Sequence, residues 1–358
     1  MPEGSPQSFF RAEVPPRPLS PSIIDRIAFS SDLMLGAFNA IQVCLKLRPD
    51  EHITLLAGEE CMEVAAALVN QVKEVGASFS LITLESCCAR PCKALPPALF
   101  TFLRRSQVSI FAAAALPGEL PMRMQLTRFV NEHGLRHAHM VNITPQIMKE
   151  GMQADFFEVD ALSTRLIERA RRATYLRATS SGGSELSVSF SPSLKWVKTS
   201  GMITLEKWGN LPGGEIFTSP ERVDGLFVVD GVVGDFLCSK YGDLKNTPLF
   251  IEIEDSRIRK VDCHDKLLLK DFLEYIRSDE NSDRAGEFAI GTNLAVTRII
   301  GNILQDEKIP GVHIAFGNPY PEHTGANWRS STHIDCVGRD FDIWFEEEQI
   351  MRSGRFLI

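Results

Sequence analysis

Two periods of apolar spacing alternate along the first part of this chain. The run His52-Ile53-Thr54-Leu55-Leu56-Ala57-Gly58 is short, apolar and closed by glycine, which predicts a buried strand. Val64, Leu68, Val72 and Val75 then recur at helical spacing, so a helix is predicted over 59–75, with Gly76 as its stop. The unit repeats as strand 78–83, helix 97–105, strand 108–114, helix 122–131 and strand 137–142, and a helix-like stretch at 24–47 precedes it. Strands and helices alternating through short connections predict an α/β N-terminal domain, a parallel sheet with helices on both faces.

From about Arg177 the pattern changes to glycines and strands of period two. Strands are predicted at 185–190 and 226–233 and a hairpin at 250–261, interrupted by helices at 266–276 and 295–305. An α+β C-terminal domain on a mixed or antiparallel sheet is the simplest architecture for this pattern. Six prolines in a polar setting mark residues 1–22 as an extended arm. The expected organisation is therefore an arm at 1–22, an α/β domain at 23–176 and an α+β catalytic domain at 177–358; the 358 residues suffice for two cores.

Composition narrows the function classes. With 44% apolar residues, 23% charged residues and a formal charge of -8, the chain reads as an ordinary soluble protein. It has no apolar run of the roughly 20 residues a membrane span needs. No basic excess or cluster points to nucleic acid. The N-terminus lacks a basic flank followed by an apolar stretch, so a cytoplasmic protein with eight reduced cysteines is expected. Cys87, Cys88 and Cys92 crowd together, but no second pair follows at finger-like spacing. His133, His137 and His139 span a helix end and a strand and read as satisfied or solvated side chains. Gly58-Glu59-Glu60 lacks the three-glycine fingerprint of a dinucleotide fold.

Metal-capable side chains cluster in five segments of the second domain: 210–215, 286–287, 306–307, 313–320 and 332–335. In the last, His333 and Asp335 stand two apart on a predicted strand and point to one face, so both can grip one ion. Glu307 and His313 flank a short loop and can approach the same centre. Taken singly, each segment also reads as a cap or a solvated charge. Together, three glutamates and an aspartate with two histidines are too anionic for one divalent ion. Two ions about 3.5–4 Å apart would neutralise them.

In order and near-family spacing, Asn210-Leu211-Pro212-Gly213-Gly214-Glu215-Ile216-Phe217-Thr218-Ser219-Pro220, Gly286-Glu287, Asp306-Glu307, the stretch His313 to Tyr320, and Ser331-Thr332-His333-Ile334-Asp335 resemble the aminopeptidase T and aminopeptidase S family of thermophilic-type metallopeptidases, also called leucyl aminopeptidases. The resemblance covers mainly residues 205–345. It implies that Glu215, Glu287, His313, His333 and Asp335 ligate two zinc, cobalt or manganese ions, with Glu307 a further ligand or the general base. It also implies that Tyr320 lies at the metals, where a phenol can hydrogen-bond the tetrahedral oxyanion of amide attack, and that the protein is a homodimer acting on a peptide or small amide. The 2,5-dihydroxypyridine dioxygenases, a related group, hold one Fe(II) with two histidines and an aspartate. They keep the closing His-x-Asp, but they place a histidine where this chain has Glu287 and lack the glutamate at Glu215. The expectation is thus a two-metal hydrolase of the aminopeptidase kind, with a ring-cleaving iron oxygenase, a biosynthetic amide hydrolase and a non-catalytic binding protein as rivals.

Overall fold

Four parallel strands run side by side in the order Ser78–Thr83, His52–Ala57, Val108–Ala113, Arg136–Val141. This is the parallel sheet that the alternating pattern predicts, and its strands are almost wholly buried, as a sheet covered by helices requires. The computed structural model describes residues 16–205 and 208–358; most of the proline-rich arm, residues 1–15, lies outside the described residues. The helix Met62–Val75 presents Val64, Leu68 and Val72 inward and ends at Gly76, whose φ of 82° is costly for a residue with a Cβ. Helices Pro97–Leu103 and Leu120–Glu132 take their predicted places.

Two expectations fail in this part. The stretch 24–47 is not one helix: it breaks into Pro21–Ile24 and a second helical run starting at Ser31–Leu33, because the Ser30 hydroxyl accepts from the Asp32 N–H and caps a new start. Nor are all eight cysteines free thiols. Cys88 and Cys92 form a disulfide with their Cα atoms 5.8 Å apart, within the span such a bond bridges. The loop between them wraps Arg90, whose guanidinium donates to Glu119 at 2.8 and 2.9 Å and also reaches Glu60 and Glu85. Of the three histidines, His137 and His139 meet (Nε2 to Nδ1, 3.3 Å) as buried residues, while His133 stacks on Phe129. Burial pushes the His137 pKa down to about 3, so this imidazole is a neutral core group.

Among the described residues, those up to 143 and those within 203–208 form one compact unit, and residues 144–202 and 209–358 the other. Residues 144–176 thus group with the second unit, where Leu162, Leu166 and Ile167 of the helix Phe156–Ala170 join its core. That unit holds two antiparallel sheets. The larger runs Arg257–Asp262, Leu249–Glu254, Arg222–Val229, Glu185–Ser189, Tyr175–Ser180, Phe341–Phe345, Glu348–Arg352, Arg355–Phe356. The smaller runs His333–Val337, Gly311–Gly317, Ala285–Gly291, Glu215–Thr218, Val197–Lys198. Phe227 and Phe341 from the first and Phe288, Phe316 and Ile334 from the second share one apolar core.

The helix Lys266–Tyr275 forms as predicted, capped by Asp265, whose carboxylate accepts from the N–H groups of Leu267 and Leu268. The predicted helix at 295–305 does not form. Only Ile303–Asp306 is helical, because the buried Asp306 carboxylate accepts from the N–H groups of Ile300, Gly301 and Asn302 at 2.8–3.0 Å and holds them in a loop.

Candidate metal centre

Five metal-capable side chains come from four neighbouring strands of the smaller sheet, and the register decides that they share a face. Asp335 lies opposite Ala315, which lies opposite Glu287; His333 lies opposite Gly317, and Glu215 opposite Gly291. His313 is two residues from Ala315, and Glu287 is four from Gly291. Since cross-strand partners point the same way and the side-chain period is two, Glu215, Glu287, His313, His333 and Asp335 all project from one face. The intervening Phe288, Ile314, Phe316 and Ile334 project from the other, into the core. Each ligand has an alanine or glycine as one cross-strand partner, and His313 has Val337 on its other side.

Glu215, Glu287 and His313 each offer one ligand atom within 4.8 Å of the others, the group among the described residues that can hold a metal ion. His313 Nε2 stands 3.5 Å from Glu215 Oε2 and 3.6 Å from Glu287 Oε1. The other Glu287 oxygen faces His333 Nε2 at 3.9 Å, and His333 Nε2 lies 3.3 Å from Asp335 Oδ1. Glu287 therefore turns one oxygen to each histidine.

Each group is held by partners behind it. His333 Nδ1 donates to the Asn318 carbonyl at 2.9 Å, which turns Nε2 towards the carboxylates, an arrangement usual for metal-ligating histidines. The Tyr275 hydroxyl donates to the His333 carbonyl at 3.0 Å. Glu215 follows Gly213-Gly214, which pack against backbone: a Cβ at Gly213 would lie 2.3 Å from the Gly201 nitrogen, and one at Gly214, where φ is 132°, 2.6 Å from Asn293. Asn293 Nδ2 donates to the Gly213 carbonyl at 2.9 Å. Tyr320 adopts the left-handed conformation at φ 49° and sets its ring 4.5 Å from that of His333.

Glu307 is placed differently. It caps the short helix Ile303–Asp306, and its Oε1 is bound at 2.6 Å by the Lys308 ammonium, which also binds Glu215 Oε1 at 2.7 Å. Lys308 is the residue that spacing alone does not reveal: one lysine at a loop start is ordinarily exposed, yet this one is 1% exposed. Thr199 was equally silent, and its hydroxyl donates to Glu215 Oε1 at 2.7 Å.

Charges are strongly perturbed. Burial raises Glu287 and pushes Glu307 up to about 8. For Glu215 burial is outweighed by Lys308 and His313, which hold it below its ordinary value. Burial also opposes the Lys308 ammonium, but Glu215 and Glu307 keep its pKa above the usual lysine value. Burial likewise opposes charge on the histidines, yet Glu287 and Glu215 raise His313, and Asp335 raises His333 to about 10. In apo-protein at pH 7 the His333 imidazole is thus favoured as the cation, and the His313 imidazole is shifted in the same direction, whereas a ligating imidazole must be neutral. Metal uptake is expected to release at least one proton and to weaken as pH falls. Titration calorimetry at pH 7 in buffers of different ionisation heat checks this; an apparent enthalpy independent of buffer would contradict it.

Residues 161–356, more than half of the chain, match the family of thermophilic metalloproteases, M29. The chain belongs to the M29 family. All five clustered ligand candidates of this M29 protein, together with Glu307, Lys308 and Tyr320, fall inside the matched segment. Among solved structures, its fold is shared with wild-type AmpT from Thermus thermophilus (TM-score 0.67, 18% identity, covering 92% of this chain and 100% of that one). The fold is also shared with 2,5-dihydroxypyridine dioxygenase from Pseudomonas putida KT2440 (TM-score 0.65, 16% identity, covering 92% and 98%). No curated protein sequence matches this M29 chain. A metal-dependent peptidase family and a buried Glu/Glu/His group agree in chemistry: carboxylate oxygens and imidazoles are ligands of divalent metal ions. Among the described residues no helix is long and apolar enough to cross a membrane.

Proposed function

We propose that this M29 protein is an aminopeptidase that removes N-terminal residues from short peptides at a dinuclear centre. One observation carries the reading: the two oxygens of Glu287 face different histidines, at 3.6 Å (His313) and 3.9 Å (His333). Glu215, His313 and one oxygen of Glu287 make one ligand group, and His333, Asp335 and the other oxygen make a second. Divalent ions at such sites acidify a water into a nucleophile at neutral pH and polarise a carbonyl. With Glu307 favoured in its neutral form at pH 7, the carboxylates of Glu215, Glu287 and Asp335 face the ammonium of Lys308 and two negative charges remain; one divalent ion would balance them, and a second would give the site the net positive charge suited to stabilising an oxyanion.

The protein's own groups supply the rest. Tyr320, ring against His333, is the donor that can meet the carbonyl oxygen as negative charge develops on it. Of the two roles open to Glu307, we assign it proton transfer to the leaving amine, since Lys308 already binds its Oε1. Zinc, cobalt or manganese as the metal, and assembly as a homodimer, belong to the same reading.

The test is activity of apo-protein refilled with zinc, cobalt or manganese. Release of the anilide from leucyl anilide and of leucine from dipeptides, without oxygen consumption, is the expected result. Oxygen uptake with a dihydroxypyridine after loading with iron, and no peptide turnover with any of the three metals, would overturn it in favour of a ring-cleaving oxygenase.

A further inference from the structure

Lys308 stands where a cation of another kind would fit. Its Nζ lies 2.7 Å from Glu215 Oε1 and 2.6 Å from Glu307 Oε1, and the side chain is 1% exposed. An ammonium has three donors and no acceptor, so at this depth it needs carboxylates to replace water, and two supply them. Two carboxylate oxygens converging on one buried point are also the beginning of a divalent-ion site, since carboxylates ligate zinc at about 2.0–2.2 Å. The ammonium and such an ion exclude one another.

The same contacts decide how Glu215 faces the rest of the centre. Its Oε1 is taken by Lys308 and by the Thr199 hydroxyl at 2.7 Å, and its Oε2 lies 3.5 Å from His313 Nε2. One oxygen is committed to the protein and one is left for an ion. Glu307 Oε1 is bound to the same ammonium.

We propose that Lys308 is a positioning residue acting as a built-in cation: it holds Glu215 to single-oxygen ligation beside His313 and keeps Glu307 out of the ligand set by filling the place between them. The inference rests on the metal-centre reading above. The lysine thereby sets how many ions the centre takes. With Lys308 removed, Glu215 and Glu307 are left as two buried carboxylates with no cation between them, a pair that recruits a divalent ion of its own.

The test is ion content of the full-length protein, loaded with zinc or manganese, dialysed and measured by elemental analysis, with affinities from titration calorimetry. E307Q is expected to keep the wild-type number of ions. K308M is expected to gain one ion per chain, and the double variant E307Q/K308M to return to the wild-type number. An ion lost in E307Q makes Glu307 a ligand and overturns the proposal; so does a K308M protein that folds and binds the same number as wild type. A merely structural lysine would lower stability without adding an ion. Should K308M not fold, E307Q alone still decides. A wild-type protein that takes up no divalent ion overturns the metal-centre reading itself, and this inference with it; wild-type loading with no gain in K308M overturns this inference alone.

Discussion

Replacing Glu287 by glutamine is expected to remove at least one ion per chain and to lower leucyl anilide hydrolysis by more than about a hundredfold. The magnitude follows from position, since changing a group that only supports a ligand already costs about 10–100-fold in metal affinity or activity, and Glu287 faces both histidines directly. Glutamine keeps the shape of the side chain but puts an amide nitrogen, which cannot ligate, where one oxygen stood. The change should leave the fold intact. Burial already works against the charged form of Glu287 and raises its pKa, so the apo-variant should melt no lower than apo wild type. Ion content by elemental analysis, initial rates and apo-protein melting together check the prediction. Full activity with a full complement of ions would remove Glu287 from the centre.

Phe288→Ala, one residue further along the strand, should do the opposite. Phe288 is 0% exposed, lies in the core between the two sheets, and places its ring 5.9 Å from that of Phe190. Truncating a buried phenylalanine to alanine costs about 3–5 kcal/mol through lost burial and the cavity left behind. At roughly 2–4 °C per kcal/mol for a unit of this size, the melting transition of the second unit should fall by roughly 6–20 °C. At temperatures where the variant stays folded it should still bind metal, because the ligand face is not touched. A shift of less than about 1 kcal/mol would show that the strand is not anchored through this face. Neighbouring residues with such different consequences are what strand alternation dictates: one face carries the chemistry and the other carries the stability.

That alternation is also why much of the centre was readable from the sequence. His333 and Asp335 had to share a face once their segment was a strand, and Glu287, after Gly286, and His313, between Val312 and Ile314, sit in runs too apolar to be solvated loops. The parallel unit was equally plain, because strand and helix periods differ and Gly76 stops its helix. What stayed hidden depends on contacts distant in sequence. Lys308 looks like any loop lysine until two carboxylates close on it, and its charge alters the electrostatic balance of the whole centre. The residues at 295–305 carry helical spacing, yet a single buried carboxylate, Asp306, ties three of their neighbouring N–H groups into a loop. Cys88 and Cys92 come within bonding distance because Arg90 draws its loop inward onto Glu60, Glu85 and Glu119, none of which is adjacent to either cysteine.

The central claim is that the face formed by Glu215, Glu287, His313, His333 and Asp335 binds metal, and that it binds two ions. Elemental analysis of the full-length protein, loaded with zinc, cobalt or manganese and then dialysed, tests it most directly. Two divalent ions per chain is the predicted result. No retained ion, or a single iron retained in preference to the others, would contradict it.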